Sequence, residues 1–181
     1  KLPGNRWITG CPKPWQVAAF FGILAVLVVC NNRLSKLHFW QGVLCALFVL
    51  SVRIPQGLQV TVVDVGQGDC IYLSDDRVNM LIDGGSSSKS DVASYQIVPF
   101  LKHRGVSQLD AVIVTHPDSD HISGICTMLE QTAGEEHIEI GALYLPDVGN
   151  AGRNEGYREL ERLSTAADVP VYYIGSGERI R

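Results

Sequence analysis

Pro55 divides the sequence into two different physical objects, and that division limits the folds open to the chain more than any single motif does. All 19 acidic residues lie after it, whereas six of the 15 basic residues lie before it. Residues 1 to 55 therefore carry +6, and the remainder, with nine basic residues against 19 acidic ones, carries −10.

The first part is built on two uncharged stretches. Residues 14 to 32 include the apolar run from Val17 to Val29. At about 1.5 Å per residue this nearly spans a hydrocarbon core of about 30 Å, with Trp15 placed as an interfacial anchor, so the stretch reads as a transmembrane helix. A signal peptide would share the apolar centre, but Asn31-Asn32-Arg33 stands where a small-residue cleavage site would be. Residues 37 to 52 are shorter and fit a tilted span, or else a buried or interfacial helix. Joined through Arg33-Leu34-Ser35-Lys36, the pair reads as a membrane hairpin with membrane lipid as its partner. Arg33 and Lys36 favour a cytoplasmic connector, while Lys1, Arg6, Lys13 and Arg53 favour the opposite, so charge does not orient it.

At 181 residues the chain has room for one domain with a good core and something small beside it. Its five cysteines are odd in number and form no C-x-x-C pair, which excludes a disulfide framework or zinc knuckle and leaves them as small buried hydrophobes. The chain starts at Lys1 and stops shortly after Val171-Tyr172-Tyr173-Ile174, and it reads as a fragment cut at both ends.

Beyond Pro55-Gln56-Gly57 the pattern changes to short strands and turns. Strands are expected over residues 58 to 65, 70 to 73 and 78 to 82, with a turn at Asp75-Asp76. A helix over 92 to 103 precedes a strand at Ala111-Val112-Ile113-Val114. Then come a helix from Ile122 to Gln131, a strand from Ile138 to Leu145, a helix from Gly156 to Ala167 and a strand at Val171. A β meander that passes into β-α alternation predicts an α/β fold.

Chemistry concentrates in Thr115-His116-Pro117-Asp118-Ser119-Asp120-His121. Pro117 keeps the residue before it out of helical geometry, and in an extended segment His116 and Asp118 point the same way, able to share an ion. Asp120 and His121, adjacent at the turn into a helix, diverge and suit a second ion or its water. Helix capping by Asp118, Ser119 or Asp120 is the competing use of the same residues. Two glycine-rich turns stand at strand ends. Asp64-Val65-Gly66-Gln67-Gly68-Asp69 brings two carboxylates near the strand tips, its glycines adopting backbone angles other residues resist. It lacks the Lys-Ser/Thr of a phosphate-binding loop, and alone it is a hairpin turn. In Leu81-Ile82-Asp83-Gly84-Gly85 the aspartate is placed to accept a hydrogen bond from a ligand histidine or from a turn amide.

In this order, with hydrophobic strands leading into the second and third, the three motifs resemble the first half of a metallo-β-lactamase-like domain. With two apolar helices in front, the chain is similar to the C-terminal part of the ComEC/Rec2 family, the DNA-uptake channel of bacterial competence. The superfamily pattern is H-x-H-x-D-H, and Asp118 stands where its second histidine would be, a replacement usual in the competence family. The resemblance implies an αββα sandwich of which residues 56 to 181 are the first half, preceded by one or two transmembrane helices. It implies two divalent ions, zinc or manganese, one held by His116 and Asp118 and the other by Asp120 and His121. Asp120 would also be catalytic, Asp83 structural, and further ligands would come from a second half; His137 is surface. It further implies a nuclease acting on incoming DNA, in a multi-pass protein of the bacterial cell membrane with the hydrolase domain on the outer side. The remainder of the polypeptide and other DNA-uptake proteins would be its partners.

A carboxylate in place of an imidazole hardens the site, moving preference from zinc toward manganese or magnesium. The −10 charge after Pro55 counts against broad nonspecific DNA binding, because phosphate neutralisation needs Lys and Arg. A hydrolase of a small ester or lactam, and a non-catalytic structural or DNA-guiding domain, are the other functions these residues fit.

Overall fold

The computed structural model describes residues 8, 10–31, 35–75, 77–131, 137–149 and 152–179. Lys1, Arg6, Asn32, Arg33, Leu34 and Asp76, on which parts of the charge and turn readings rest, lie outside them. The chain divides into two compact units, Lys1–Pro55 and Gln56–Arg181.

The first unit is a helical hairpin of α1 (Pro14–Cys30) and α2 (Lys36–Ser51). One polar side chain ties its open end. Gln16, 1% exposed, accepts from the Lys13 N–H at 2.8 Å and donates to the carbonyls of Val49 (2.7 Å) and Val52 (2.9 Å). It thereby satisfies carbonyls that a helix terminus leaves without partners. Small residues line the seam: Ala46 is fully buried, and a Cβ on Gly42 would stand 2.5 Å from a methyl of Leu27. The outside is apolar, with Phe21, Val29, Trp40 and Phe48 all more than half exposed. At 17 residues α1 extends about 26 Å. Both expected helices are present, and among the described residues no helix is long and apolar enough to cross a membrane.

The second unit is α/β. Strands β1 (Gln59–Val62), β2 (Ile71–Ser74) and β3 (Asn79–Ile82) form an antiparallel meander. Parallel strands β5 (Ala111–Ile113), β7 (Leu143–Pro146) and β8 (Val171–Ile174) extend it into a mixed six-stranded sheet in the order β1-β2-β3-β5-β7-β8. Helices α3 (Val98–Arg104), α4 (Ser119–Glu130) and α5 (Glu155–Ala166) make the crossovers. They pack on one face, where Tyr72, Leu81, Val112, Leu143 and Leu145 meet Leu101, Ile125, Met128 and Leu160 in a single core. On the other face one register row runs through all six strands: Val62, Ile71, Ile82, Ile113, Tyr144 and Tyr172. Its ends are 75% and 51% exposed, and the four residues between them are half-buried.

Several boundaries differ from the sequence expectation. The helix expected from Val92 opens with a π-helical turn, Ala93–Ile97, closed by a Val98 N–H to Ala93 carbonyl bond. Pro99, in the first turn of α3, lacks an N–H and crowds the carbonyl four residues back, which the wider turn relieves. The strand expected over 138–145 is two strands. β6 (Glu139–Ile140) leaves to pair with β4 (Gln108–Leu109), and the chain crosses at Gly141, where a Cβ would approach the Asp110 carbonyl to 3.0 Å. The cysteines are free thiols, but only Cys70 is buried; Cys11, in the segment before α1, and Cys45, on the outer side of α2, are exposed.

Candidate metal centre

β3 and β5 are parallel neighbours, paired Ile82 to Ile113, so the segments that follow them emerge side by side. After β3 comes Asp83, at φ 54°, a left-handed conformation that aspartate tolerates better than most residues. After β5 comes Thr115, whose N–H and Oγ1 donate to the two Asp83 oxygens at 2.8 and 2.6 Å. The third bond to this buried carboxylate is from His121 Nδ1 at 3.0 Å.

Helix α4 starts at Ser119, three residues before the sequence pattern indicates, so Asp120 and His121 lie in its first turn. Asp118 takes the N-cap position, yet its side chain makes no capping hydrogen bond. That carboxylate lies 3.7 Å from His116 Nε2 and is exposed. The expected divergence of Asp120 and His121 is not seen. Asp120 Oδ2 is 3.7 Å from His121 Nε2, the rings of His116 and His121 are 3.6 Å apart at their centroids, and ligand atoms of His116, Asp120 and His121 fall within 4.8 Å of one another. Asp118 is outside that group. Asp69 is near it, with Oδ2 at 3.6 Å from His121 Nδ1. Asp64 is engaged elsewhere: it accepts from the Gly66 N–H at 3.0 Å and pairs with Lys89 at 3.4 Å, which holds its carboxyl below the usual range. His137 is half-buried in the segment leading to β6.

The glycines act by closeness more than by conformation. Gly66 does have φ 81°, as a turn glycine should. Gly68 and Gly85 do not depend on positive φ: a Cβ on Gly68 would stand 2.5 Å from the Asp120 carbonyl, and one on Gly85 2.6 Å from the His121 nitrogen. This lets main chain meet main chain. Asp69 N–H donates to the Asp120 carbonyl (3.2 Å), Gly84 N–H to the His121 carbonyl (2.7 Å) and Ile125 N–H to the Gly84 carbonyl (3.1 Å). The three motifs are thus one hydrogen-bonded unit. Cys70, next to the exposed Asp69, is itself buried, and that burial together with the Asp83 charge pushes the thiol up to about 12.

The loop crest has other neighbours. A Cβ on Gly156, in the first turn of α5, would collide with the Pro117 carbonyl, so only glycine lets α5 abut the loop there. Between α4 and α5 opens a cleft of about 700 Å³ whose lining includes Asp118, Asp120, Glu155 and Glu159. Thr115, Gly68, Gly85 and Gly156 were not assigned to the site from sequence. Gly68 and Gly85 stood inside the two glycine-rich motifs and Thr115 adjoined His116 as a hydroxyl, whereas Gly156 carried no such signal.

The donor set fits a divalent cation. A carboxylate only accepts, so His121 Nδ1 carries the hydrogen, and Nε2 is the nitrogen left to ligate, 3.7 Å from Asp120 Oδ2. This carboxylate-backed histidine beside a second imidazole and a half-exposed carboxylate is a common way to hold a metal.

The metallo-beta-lactamase superfamily matches residues 63–165, a stretch that contains all three motifs whole. The chain is 33% identical over 142 residues to "ComE operon protein 3" of Bacillus subtilis, a match covering 68% of this chain and 17% of that protein. It is 31% identical over 147 residues to "Recombination protein 2" of Haemophilus influenzae (77% and 18%) and 34% identical over 128 residues to "Competence protein ComA" of Neisseria gonorrhoeae (65% and 18%). The chain thus spans less than a fifth of the length of the curated relatives it matches. The solved structure "Crystal Structure of a New Diphosphatase from the PhnP Family" aligns at TM-score 0.36 and 19% identity over 62% of this chain and 39% of its own, too slight a likeness to carry weight. The superfamily match covers more than half of the chain, and the curated matches are competence proteins: the chain belongs to the metallo-beta-lactamase superfamily and is a relative of the ComEC/Rec2 competence proteins.

Proposed function

We propose that residues 56 to 181 are the first half of a metal-dependent hydrolase domain that cuts DNA during uptake, carried by a protein of the bacterial cell membrane. The observation that carries this reading is the Asp83–His121 bond of 3.0 Å, which commits Nδ1 and leaves Nε2 beside His116 and Asp120. Two ions fit better than one, because Asp118 caps nothing and stands against His116. Zinc and manganese both suit this mixture of imidazole and carboxylate. When bound, such ions polarise a phosphoryl oxygen and make water acidic enough to react at neutral pH. His116, Asp118, Asp120 and His121 would hold them. Asp120, half-exposed at the mouth of the cleft, would also accept a hydrogen bond from the attacking water and orient it.

The uncovered sheet face supports the half-domain reading. A row from Val62 to Tyr172 across six strands is the apolar surface that a second sheet, supplied by the rest of the polypeptide together with the missing ligands, would bury. The apolar exterior of the hairpin supports anchoring in lipid, with the hydrolase unit on the outer side. The carboxylate-lined cleft favours a second reading, in which a small uncharged ester or lactam is the substrate, since four carboxylates repel a polyanion.

Asp120→Asn in the full-length protein tests the proposal. Metal-dependent cleavage of single-stranded DNA should fall by roughly 100-fold or more while thermal unfolding is unchanged. Cleavage at the wild-type rate would remove Asp120 from the chemistry. A wild-type protein that binds metal and opens an ester or lactam, but leaves DNA intact, would establish the second reading.

A further inference from the structure

The hydrogen bonds around Thr115 form a chain that reaches past His121 to the second histidine. Its oxygen is 2.6 Å from Asp83 Oδ2 and 3.2 Å from His116 Nδ1. A threonine hydroxyl has one hydrogen, and the carboxylate, which only accepts, takes it at the shorter distance. The Thr115 oxygen is then an acceptor toward His116, and a neutral imidazole that meets an acceptor at Nδ1 places its hydrogen there. We infer that Thr115 is a positioning residue which relays the Asp83 carboxylate to His116, so that one buried aspartate sets the tautomer of both histidines and turns both Nε2 lone pairs toward the same space.

The geometry supports a relay over a merely structural hydroxyl. Thr115 is already fixed by its N–H, which donates to Asp83 Oδ1 at 2.8 Å, so the hydroxyl is not needed to hold the backbone. Its companion bond at His121 Nδ1, 3.0 Å, acts on the other histidine directly. His116 is the side chain that needs the help: it is 47% exposed against 10% for His121, with the His121 ring packed on one side of it. A histidine ligand is commonly backed at its distal nitrogen by a carboxylate, a carbonyl or water. A hydroxyl that hands on the carboxylate's polarity does the same through one more atom, and the two bonds strengthen each other in series.

The inference rests on the metal reading for its purpose, though not for its tautomer. In the full-length protein, Thr115→Val keeps the shape and removes the hydroxyl, and Thr115→Ser restores it. Thr115→Val should weaken Zn²⁺ and Mn²⁺ binding by roughly tenfold and shift the visible absorption of bound Co²⁺, and Thr115→Ser should return both to wild type. A Thr115→Val protein that unfolds at a lower temperature but binds metal as the wild type does would overturn the relay and leave a structural hydroxyl. Should Thr115→Val fail to fold, nitrogen NMR of histidine-labelled, metal-free wild type decides: hydrogen on His116 Nδ1 is the expected result, and hydrogen on Nε2 overturns it. Wild-type protein with the expected tautomer and no affinity for metal would reject the metal reading alone.

Discussion

His116 and His121 face the same small space, yet one belongs to a wall and the other to a crest. His121 sits in the first turn of α4, with its carbonyl bonded to the Gly84 N–H and its ring to Asp83, inside a weave in which Gly68 and Gly85 bring three motifs to backbone contact. His116, Pro117 and Asp118 arch over the edge. Pro117 has no N–H to offer, the side chains on either side of it are exposed, and α5 meets the arch at Gly156. A site built this way has one fixed donor and several adjustable ones. The fixed part is expensive to disturb because burial leaves no water to replace a lost partner, whereas the crest can lose a partner to solvent.

The largest expected effect comes from breaking the wall at its centre. Asp83→Ala strands the Thr115 N–H and His121 Nδ1 without acceptors and should cost about 3 kcal/mol of folding stability, together with metal affinity. Denaturant unfolding measures the first. A loss below about 0.5 kcal/mol, the ordinary cost of a surface change, would mean that the wall is no more rigid than the crest.

Asp118→Ala should do the opposite. An N-cap carboxylate in use is worth about 1 kcal/mol, but this one makes no capping bond, so stability should hardly move while metal affinity drops by about tenfold. A measured loss of about 1 kcal/mol with unchanged metal content would make Asp118 a cap and the crest part of the helix framework.

A smaller effect sets the wall against the cleft beside α4 without altering the site. Burial pushes the Cys70 thiol, on the wall, up to about 12, and burial with the Glu159 and Glu130 charges pushes Cys126, on the cleft side of α4, to about 11. The thiolate is the form that reacts, so alkylation of the folded protein at pH 8 should be slow at both and slower at Cys70, and unfolding should erase the difference. Cys70 labelling as fast as Cys126 in the folded state would place the wall in contact with solvent.

Much of the arrangement was legible in the order of residues because it depends on local chemistry. Strand and helix periodicity located most of the elements of the second unit and both helices of the first, and the clustering of imidazole and carboxylate between Thr115 and His121 pointed to a site. Local rules failed where long-range contacts decide. The π-helical turn at Ala93–Ile97 and the early start of α4 shift boundaries by a few residues, and the stretch from Ile138 to Leu145 divides because β6 finds β4 as a partner.

What the sequence determined by itself was which side chains could ligate a cation, and that an apolar hairpin and an acidic α/β unit meet at Pro55. Only the tertiary structure decided how those side chains combine. The sequence pairs His116 with Asp118 and Asp120 with His121, each pair for its own ion; the fold keeps each pair at 3.7 Å and also gathers His116, Asp120 and His121 within 4.8 Å, because α4 begins at Ser119 and turns the loop inward. The role of Gly68 and Gly85 is likewise invisible in a linear text. Gly85 needs no side chain because of the backbone at Asp120 and His121, brought close by the parallel pairing of β3 and β5, and Gly68 because of that backbone and of the Gly85 carbonyl.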